Sequence, residues 1–196
     1  MWEIHTDPVK GRKIVATKMI SAGTVVLKER PAVIAEDVYD AIYNMYNDND
    51  SDIIVKYTEM VPHALDKHCV KKSDIQDDIE TLPMYMRDFF TLMKPERLCL
   101  LVTKFHRNAF RYNHKNNPPC AILLKGNMFN HSCDNNLDFF VDSSGTYVFK
   151  TNRDIMIGEE LCDTYIATNM STQKRKKILY DQYYFTCVCE KCSYKS

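Results

Sequence analysis

The sequence lacks an excess of charge of either sign, because lysine plus arginine and aspartate plus glutamate each number 26 among 196 residues. This balance removes the simplest electrostatic argument for binding nucleic acid or an anionic membrane surface. Long hydrophobic runs are also absent, since the longest apolar stretches, such as residues 98–102, fall far short of the roughly 18–20 residues that cross a bilayer. We therefore expect no membrane attachment and no direct nucleic-acid binding.

The first seven residues have neither the basic start nor the apolar core of a secretion signal. The sequence contains no internal repeat and no low-complexity segment. A nuclear or cytoplasmic location is the default expectation. The chain is long enough for one domain with a sizeable core, and its 45% hydrophobic and 27% charged residues are ordinary for a globular protein.

The eight cysteines are spaced unlike those of a disulfide scaffold, which belongs to small secreted chains. Three of them form the motif Cys187-x-Cys189-x-x-Cys192. A disulfide inside C-x-C is strained, whereas thiolates around one metal ion face no such demand. Zinc is therefore the better interpretation of this segment. Four cysteines without partner spacing are interpreted as small hydrophobic residues: Cys69, Cys99, Cys120 and Cys162.

Short strand-like segments flank a helical block that begins near Asp37. The β-rich runs are residues 13–17, 24–27, 31–35, 137–141 and 146–150. The last two flank a polar loop and predict a hairpin. Pro95 can open a helix with its apolar residues on one face, and Ser171 can cap another over residues 171–184. This arrangement predicts an α+β fold, mostly β, rather than a parallel βαβ sheet.

Two charged segments favour exposed helix surfaces. Residues 37–88 carry 12 acidic and 5 basic side chains. The basic run 174–177 resembles a nuclear import signal, but a solvated helix face is the preferred interpretation.

Four local motifs occur in a definite order. They are Gly11-Arg12-Lys13-Ile14-Val15-Ala16, Asn130-His131-Ser132-Cys133, Gly158-Glu159-Glu160-Leu161 with Tyr165 four residues on, and the cysteine motif at 187–192. Together they resemble the SET-domain protein lysine methyltransferases, and the final motif is most similar to the SET-and-MYND branch. The resemblance covers residues 1–36 and 106–192.

The resemblance implies a SET-domain fold of small antiparallel sheets, closed by a pseudoknot in which the Asn130 and Tyr165 segments thread together. The SET domain would span residues 1–186, with a helical insert at about 37–105, and a post-SET zinc tail would occupy 187–196. Between Asp37 and Phe105 only Cys69 and Cys99 are available, so we expect no MYND zinc module. We also expect no C-terminal helical domain.

The implied activity is S-adenosylmethionine-dependent protein-lysine N-methylation. The sulfonium donor needs no metal, so the protein must align the two reactants, exclude water and dispose of one lysine proton. An aromatic channel beside a positive sulfonium favours the neutral amine, since a free lysine has a pKa of about 10.4. The expected partner is a protein substrate with a target lysine, such as a histone tail or another basic protein, and we expect a monomer.

The resemblance also implies the site residues. Tyr165, Tyr183 and Phe110 would surround the target amine, and whether Tyr165 acts as a base or only as an electrostatic aligner stays open. The cofactor-binding residues would be Gly11, Arg12, Lys13, Asn108, Asn130, His131, Tyr165 and Phe185. One structural zinc ion would be held by Cys133, Cys187, Cys189 and Cys192, a closed tetrahedral set that pins Tyr183 and Phe185 over the site.

Two residues depart from the family pattern. Lys13 stands where the family has a second glycine, and Asp163 stands near the position where a Phe or Tyr influences how many methyl groups are added. A carboxylate at Asp163 either retains a water beside the amine or points elsewhere, so the number of methyl groups is not predicted. Both departures favour an alternative function, a catalytically inactive SET-fold interaction module. A zinc-dependent nucleic-acid binder is a third hypothesis, supported only by residues 174–177.

Overall fold

The computed structural model describes residues 1–8, 10–48, 51–112 and 119–193. The strands are β1 (Trp2–Asp7), β2 (Gly11–Ala16), β3 (Val25–Glu29), β4 (Val33–Ala35), β5 (Ala109–Arg111), β6 (Cys120–Ile122), β7 (Asn130–His131), β8 (Leu137–Val141), β9 (Tyr147–Thr151) and β10 (Cys162–Asp163). The helices are α1 (Val38–Asn47), α2 (Ser51–Thr58), α3 (Lys72–Thr81), α4 (Met84–Thr91), α5 (Pro95–Asn108), α6 (Thr172–Tyr183) and α7 (Glu190–Ser193). The chain divides into two compact units, Met1–Pro31 with Lys125–Ser196 and Ala32–Leu124.

The first unit consists of small sheets. Strands β1 and β2 form an antiparallel pair, β3, β9 and β8 form an antiparallel sheet in that order, and β7 pairs in parallel with β10. The predicted hairpin at β8 and β9 is confirmed, and its turn is closed by Asp142, whose carboxylate accepts from the backbone nitrogens of Ser144 and Thr146. Tyr147, Val148 and Phe149 of β9 are all buried, so the central strand of this sheet contributes side chains from both faces to the core.

The second unit contains the predicted helical block, α1 to α5, together with the antiparallel sheet β4–β6–β5. Asp37 caps α1 by accepting from the backbone nitrogen of Asp40 at 2.8 Å. Pro95 occupies the first turn of α5, as predicted. The predicted apolar face of α5 is buried in the unit's core, at Leu98, Leu101, Val102 and Phe105.

The α+β class is confirmed, but strands dominate only the first unit, because helices fill most of the second. Five strands, β1, β5, β6, β7 and β10, lie outside the predicted β-rich runs. The second unit extends beyond the predicted helical insert at both ends. Strand β4 precedes the helices along the chain, β5 and β6 follow them, and β4 and β5 both pair with β6.

Helix α6 begins after Ser171, the predicted cap. The interpretation of residues 174–177 as a solvated face is wrong for Arg175, which is only 3% exposed, while Lys174 and Lys177 are exposed. Within the described part of the chain, no helix is both long enough and apolar enough to span a bilayer.

Candidate functional site

In the first unit, the parallel pair of β7 and β10 brings together the Asn130 segment and the segment that leads to Tyr165. Asn130 lies opposite Cys162 and His131 opposite Asp163. The backbone nitrogen of Ser132 donates to the carbonyl oxygen of Asp163 at 2.9 Å, which continues the ladder by one bond. The chain then leads from Asp163 to Tyr165, so the predicted catalytic tyrosine lies beside the predicted cofactor motif.

Four of the predicted site residues form one cluster of rings. The ring of Tyr165 lies 5.3 Å from His131, 5.0 Å from Tyr183 and 6.4 Å from Phe185, measured between centroids. The Tyr165 hydroxyl donates to the carbonyl oxygen of Phe129 at 2.8 Å. Tyr183 and Phe185 are held by their packing against the cysteine segment that follows them. Tyr165, Tyr183 and Phe185 therefore form one aromatic cluster, and its role as the wall of a lysine channel stays a prediction.

The surroundings of Tyr165 keep its phenol protonated. Burial raises the pKa of Tyr165 well above the ordinary value. A phenol in this state is a poor general base near neutral pH. With its proton directed at Phe129, its oxygen lone pairs are available to accept a hydrogen bond, so the geometry favours the aligner role over the base role.

The turn between β1 and β2 is joined to the Asn130 motif by direct hydrogen bonds. The Asn130 amide donates to the carbonyl oxygen of Arg12 at 2.6 Å and to the Glu160 carboxylate at 2.8 Å. Gly11 has a φ of 80°, which favours glycine, and no described atom lies within 4 Å of where its Cβ would stand. Lys13 lies with its Nζ 3.5 Å from the Asp7 carboxylate, so its charge is partnered along the same strand pair.

Two polar side chains in this unit are buried without hydrogen-bond partners among the described residues. They are Asn127, at both its amide nitrogen and oxygen, and Asp163, at both carboxyl oxygens. Buried polar atoms are nearly always paired, because leaving one unpaired costs about 1–3 kcal/mol. The backbone carbonyl of Asn127 accepts from the Arg12 guanidinium at 3.2 Å, which places the orphaned amide beside the Gly11–Arg12 turn. The Asn127 amide is therefore a candidate contact for a polar ligand such as the expected cofactor.

The four predicted metal ligands meet in one thiol cluster, defined by Cys133, Cys187, Cys189 and Cys192. Their sulfur atoms lie within 4.8 Å of one another. The Cys133 sulfur is 3.9 Å from that of Cys187 and 3.5 Å from that of Cys192. A tetrahedral zinc site with bonds of about 2.3 Å has sulfur–sulfur edges of about 3.8 Å. The thiol cluster therefore fits one tetrahedral ion with no open coordination position.

The thiols of this cluster differ in acidity. Burial raises the pKa of Cys133 and of Cys187, which disfavours their thiolates in the absence of a cation. Burial also opposes ionisation of Cys189, but hydrogen bonds from the Cys187 thiol and from backbone groups lower its pKa to about 7. A divalent cation supplies the positive charge that stabilises the remaining thiolates.

Asn108 and Phe110 lie in the second unit, at the end of α5 and in β5. The Asn108 amide donates to the carbonyl oxygens of Val61 at 2.8 Å and Lys104 at 2.7 Å, so both of its N–H bonds are used within that unit. Phe110 lies opposite Ala121 in the sheet register. Their contributions to the site stay predictions.

Asn127 is a candidate site residue that the sequence analysis missed. It is three residues before Asn130 and belongs to none of the four motifs. Only the short 3-10 turn at Gly126–Met128, which directs its amide into the protein, distinguishes it.

Comparison with known proteins gives a consistent result. The family described as "SET domain" matches residues 11–166. A SET domain-containing protein of Acanthamoeba polyphaga mimivirus is 29% identical over 93% of this chain and 74% of its own length. The N-lysine methyltransferase SMYD2 of Homo sapiens is 30% identical over 64% of this chain and 29% of its own length.

Solved structures share the fold at low sequence identity. Rubisco LSMT bound to AdoMet superimposes with a TM-score of 0.65 at 13% identity, covering 95% of this chain and 52% of that one. The SET domain of LSMT bound to lysine and AdoHcy gives a TM-score of 0.58 at 11% identity, over 94% of this chain. The chain thus spans about half the length of the superimposed structures and under a third of SMYD2.

Proposed function

Because the chain belongs to the SET domain family, we propose that it is an S-adenosylmethionine-dependent protein-lysine N-methyltransferase. The observation that carries the proposal is the position of Tyr165, whose hydroxyl is held by Phe129 within a cluster of rings beside the Asn130-His131 segment. Relatives named as N-lysine methyltransferases, and superimposed structures that bind AdoMet or AdoHcy, support the same reaction.

S-adenosylmethionine, when bound, supplies the methyl group as an activated sulfonium, so the chain has to bind and orient rather than activate. Gly11, Arg12, Asn130 and His131 would hold it, with Phe185 as an apolar face. Both hydrogen bonds of the Asn130 side chain are donated by its amide nitrogen, and its Oδ1 accepts none from the described residues. Asn127, whose backbone carbonyl accepts from Arg12, adds a side-chain amide without a hydrogen-bond partner among the described residues.

The aromatic residues prepare the amine. Burial beside Tyr165 and Tyr183 would lower the pKa of an incoming lysine, because the charged form loses its hydration. The Tyr165 oxygen would accept an N–H bond from the amine and so orient its lone pair, since its own proton is committed to Phe129. Water leaving the channel would carry away the lysine proton.

We further propose that the thiol cluster holds one structural zinc ion, since its sulfur–sulfur distances match a tetrahedral site. The ion would order the tail and thereby fix Tyr183 and Phe185. Its contribution to turnover would be indirect.

The proposed substrate is a histone tail or another basic protein, supported by the acidic balance of residues 37–88. A monomer in the nucleus or cytoplasm, with no direct nucleic-acid binding, completes the proposal. A steep loss of nucleic-acid affinity with salt would contradict the last point.

A catalytically inactive SET-fold interaction module remains the alternative function, favoured by Asp163, which is a buried carboxyl rather than an aromatic ring. Lys13 gives this alternative less support than its sequence position indicates, because its charge is partnered by Asp7. Binding of S-adenosylmethionine discriminates between the two functions.

The test combines isothermal titration of S-adenosylmethionine into zinc-replete protein with radiolabelled methyl transfer to histones. Tyr165→Phe should leave cofactor affinity within about twofold and lower turnover by about 100-fold or more, because it removes the oxygen that orients the amine. Tyr180→Phe on the exposed face of α6 is the matched control and should behave as wild type. Equal turnover of Tyr165→Phe and wild type would remove Tyr165 from the mechanism, and absence of both binding and transfer in wild type would favour the interaction module.

A further inference from the structure

His131 makes a contact at each of its ring nitrogens, and the two contacts lead to different parts of the site. Its Nδ1 lies 3.0 Å from the backbone nitrogen of Tyr165. Its Nε2 lies 3.2 Å from the Cys133 sulfur, a member of the thiol cluster. The side chain is buried, and its ring packs on that of Tyr165. One imidazole therefore bridges the thiol cluster and the proposed catalytic residue.

The chemistry of the two partners determines the direction of both hydrogen bonds. A backbone N–H can only donate, so Nδ1 is the acceptor and carries no proton. A neutral imidazole then carries its proton on Nε2, which faces the Cys133 sulfur. The Nε2–H group donates to that sulfur, and a thiolate is the stronger acceptor.

The surroundings of the thiol cluster indicate that it carries negative charge. Arg175 is buried, and no carboxylate lies within 4.0 Å of it among the described residues. Its guanidinium donates to the carbonyl oxygens of Met170 and Lys191 and to the Thr172 hydroxyl, and it lies 3.5 Å from the Cys192 sulfur. A buried arginine needs an anionic partner, and four thiolates around a divalent ion supply a net charge of about −2. Arg175 and His131 thus present donors to two different sulfurs of the same anionic group.

The hydrogen bond between His131 and the Tyr165 backbone nitrogen lies just beyond the end of the strand pairing. The β7–β10 ladder ends with the bond from Ser132 to Asp163, two residues before Tyr165. The imidazole supplies the acceptor for the Tyr165 backbone nitrogen. The orientation of the ring therefore bears directly on the backbone that carries the Tyr165 phenol.

We propose that His131 is a positioning residue that couples the metal-bound thiolate cluster to the backbone of Tyr165. The coupling rests on the proposed function for the role of Tyr165 and for the presence of the metal. Metal bound to Cys133 holds the sulfur that accepts from Nε2, and the ring so oriented presents Nδ1 to Tyr165. Loss of the metal would free the ring and loosen Tyr165, beyond any effect of disordering the tail.

Two substitutions separate the two contacts of His131. Asparagine places an oxygen near the position of Nδ1 and has no group at Nε2, so His131→Asn keeps the Tyr165 contact and loses the thiolate contact. Glutamine places an amide near Nε2, so His131→Gln keeps the thiolate contact and loses the Tyr165 contact. The two variants serve as matched controls for each other.

Zinc affinity and hydrogen exchange of the Tyr165 amide are the readouts, and neither requires methyl transfer. His131→Asn should lower zinc affinity about 10-fold to 100-fold, as loss of an outer-shell partner does, and leave Tyr165 exchange close to wild type. His131→Gln should leave zinc affinity close to wild type and speed Tyr165 exchange about fivefold to tenfold. Removing zinc should accelerate Tyr165 exchange more in wild type than in His131→Asn, where the coupling is already cut.

Several outcomes would overturn the coupling. They are equal effects of the two variants on both readouts, no effect of either, or equal acceleration by zinc removal in wild type and His131→Asn. If neither variant folds, the tautomer of His131 in ¹⁵N-labelled wild-type protein decides, because a proton on Nδ1 is incompatible with the proposal. Failure of the wild-type protein to transfer methyl groups would contradict the proposed function. Zinc affinity and exchange of the Tyr165 amide would still test the coupling.

Discussion

Asp163 is a single buried residue whose carboxyl group lacks hydrogen-bond partners in the described part of the chain, in a site where most polar groups are paired. Its side chain is 1% exposed, and neither carboxyl oxygen has a hydrogen-bond partner among the described residues. Burial raises the pKa of Asp163 well above its ordinary value, because the charged form loses hydration without compensation. The folded protein therefore holds a proton at this carboxyl under conditions in which the unfolded chain has released it.

The raised pKa of Asp163 predicts a specific pH dependence of stability. Above the unfolded pKa of about 3.9, the folded state binds more protons than the unfolded state, so stability falls as pH rises toward the folded pKa. Asp163→Asn cannot titrate, and the variant should lose this part of the decline. The measurement is the melting temperature of both proteins between pH 5 and pH 9, and parallel curves would contradict the prediction.

The orphaned amide of Asn127 predicts a separable effect on cofactor binding. Asn127→Ala should weaken S-adenosylmethionine binding about fivefold to tenfold, the value of one net hydrogen bond, without lowering the melting temperature. The amide makes no hydrogen bond to the described residues, so little folding energy depends on it. Titration calorimetry with Asn169→Ala, an exposed residue, as control would test this, and unchanged affinity in Asn127→Ala would exclude the amide from the cofactor site.

Helix α5 is the element on which the core of the second unit is built. One face buries Leu98, Leu101 and Val102, each at most 2% exposed, and the carbonyl of Leu101 accepts from the Tyr57 hydroxyl at 2.6 Å. Leu92, by contrast, is the C-terminal cap that follows α4 and is 88% exposed. The same residue type thus occupies opposite environments in neighbouring elements.

This contrast predicts that Leu101→Ala costs about 2–5 kcal/mol of unfolding free energy, through lost burial and the cavity left behind. Leu92→Ala should stay within about 0.5 kcal/mol of wild type, because little surface is uncovered. Urea titration of both variants measures the difference. Equal costs would show that α5 does not carry the core of its unit.

At the scale of the whole molecule, two different sources stabilise the fold: an apolar core and the thiol cluster. The second unit has an extensive apolar core, whereas the thiol cluster is the centre of a small satellite core that includes Leu179 and packs Tyr165, Tyr183 and Phe185. A small satellite core buries little surface, so a metal ion at its centre would supply much of its stability.

Metal removal should therefore affect the two units unequally. Chelation should release one zinc per chain, abolish methyl transfer and speed amide exchange in α6 and α7, because the aromatic residues before Cys187 lose their anchor. Exchange in α5 should not change, since none of the four cluster cysteines lies in the second unit. Full turnover of zinc-free protein, or uniform acceleration of exchange in both units, would contradict this.

The sequence by itself determined the features that depend on local pattern and on residue type. Pro95 and Ser171 mark helix starts, the polar loop at Asp142 marks a hairpin, and the grouped cysteines indicate a metal site before any fold is known. The SET-family motifs likewise located the segments of Asn130 and Tyr165, which the structure pairs as β7 and β10.

Only the tertiary structure decided the features that depend on what surrounds a side chain. Arg175 belongs to a basic run that is typical of a solvated surface, yet it is buried against the sulfur of Cys192. Asn127 carries no motif, and its importance follows from an amide left without partners. The two contacts of His131 join residues that are 2 and 34 positions away. Spacing along the chain reports local conformation, whereas partner identity and desolvation arise from long-range packing, which single-sequence patterns do not encode.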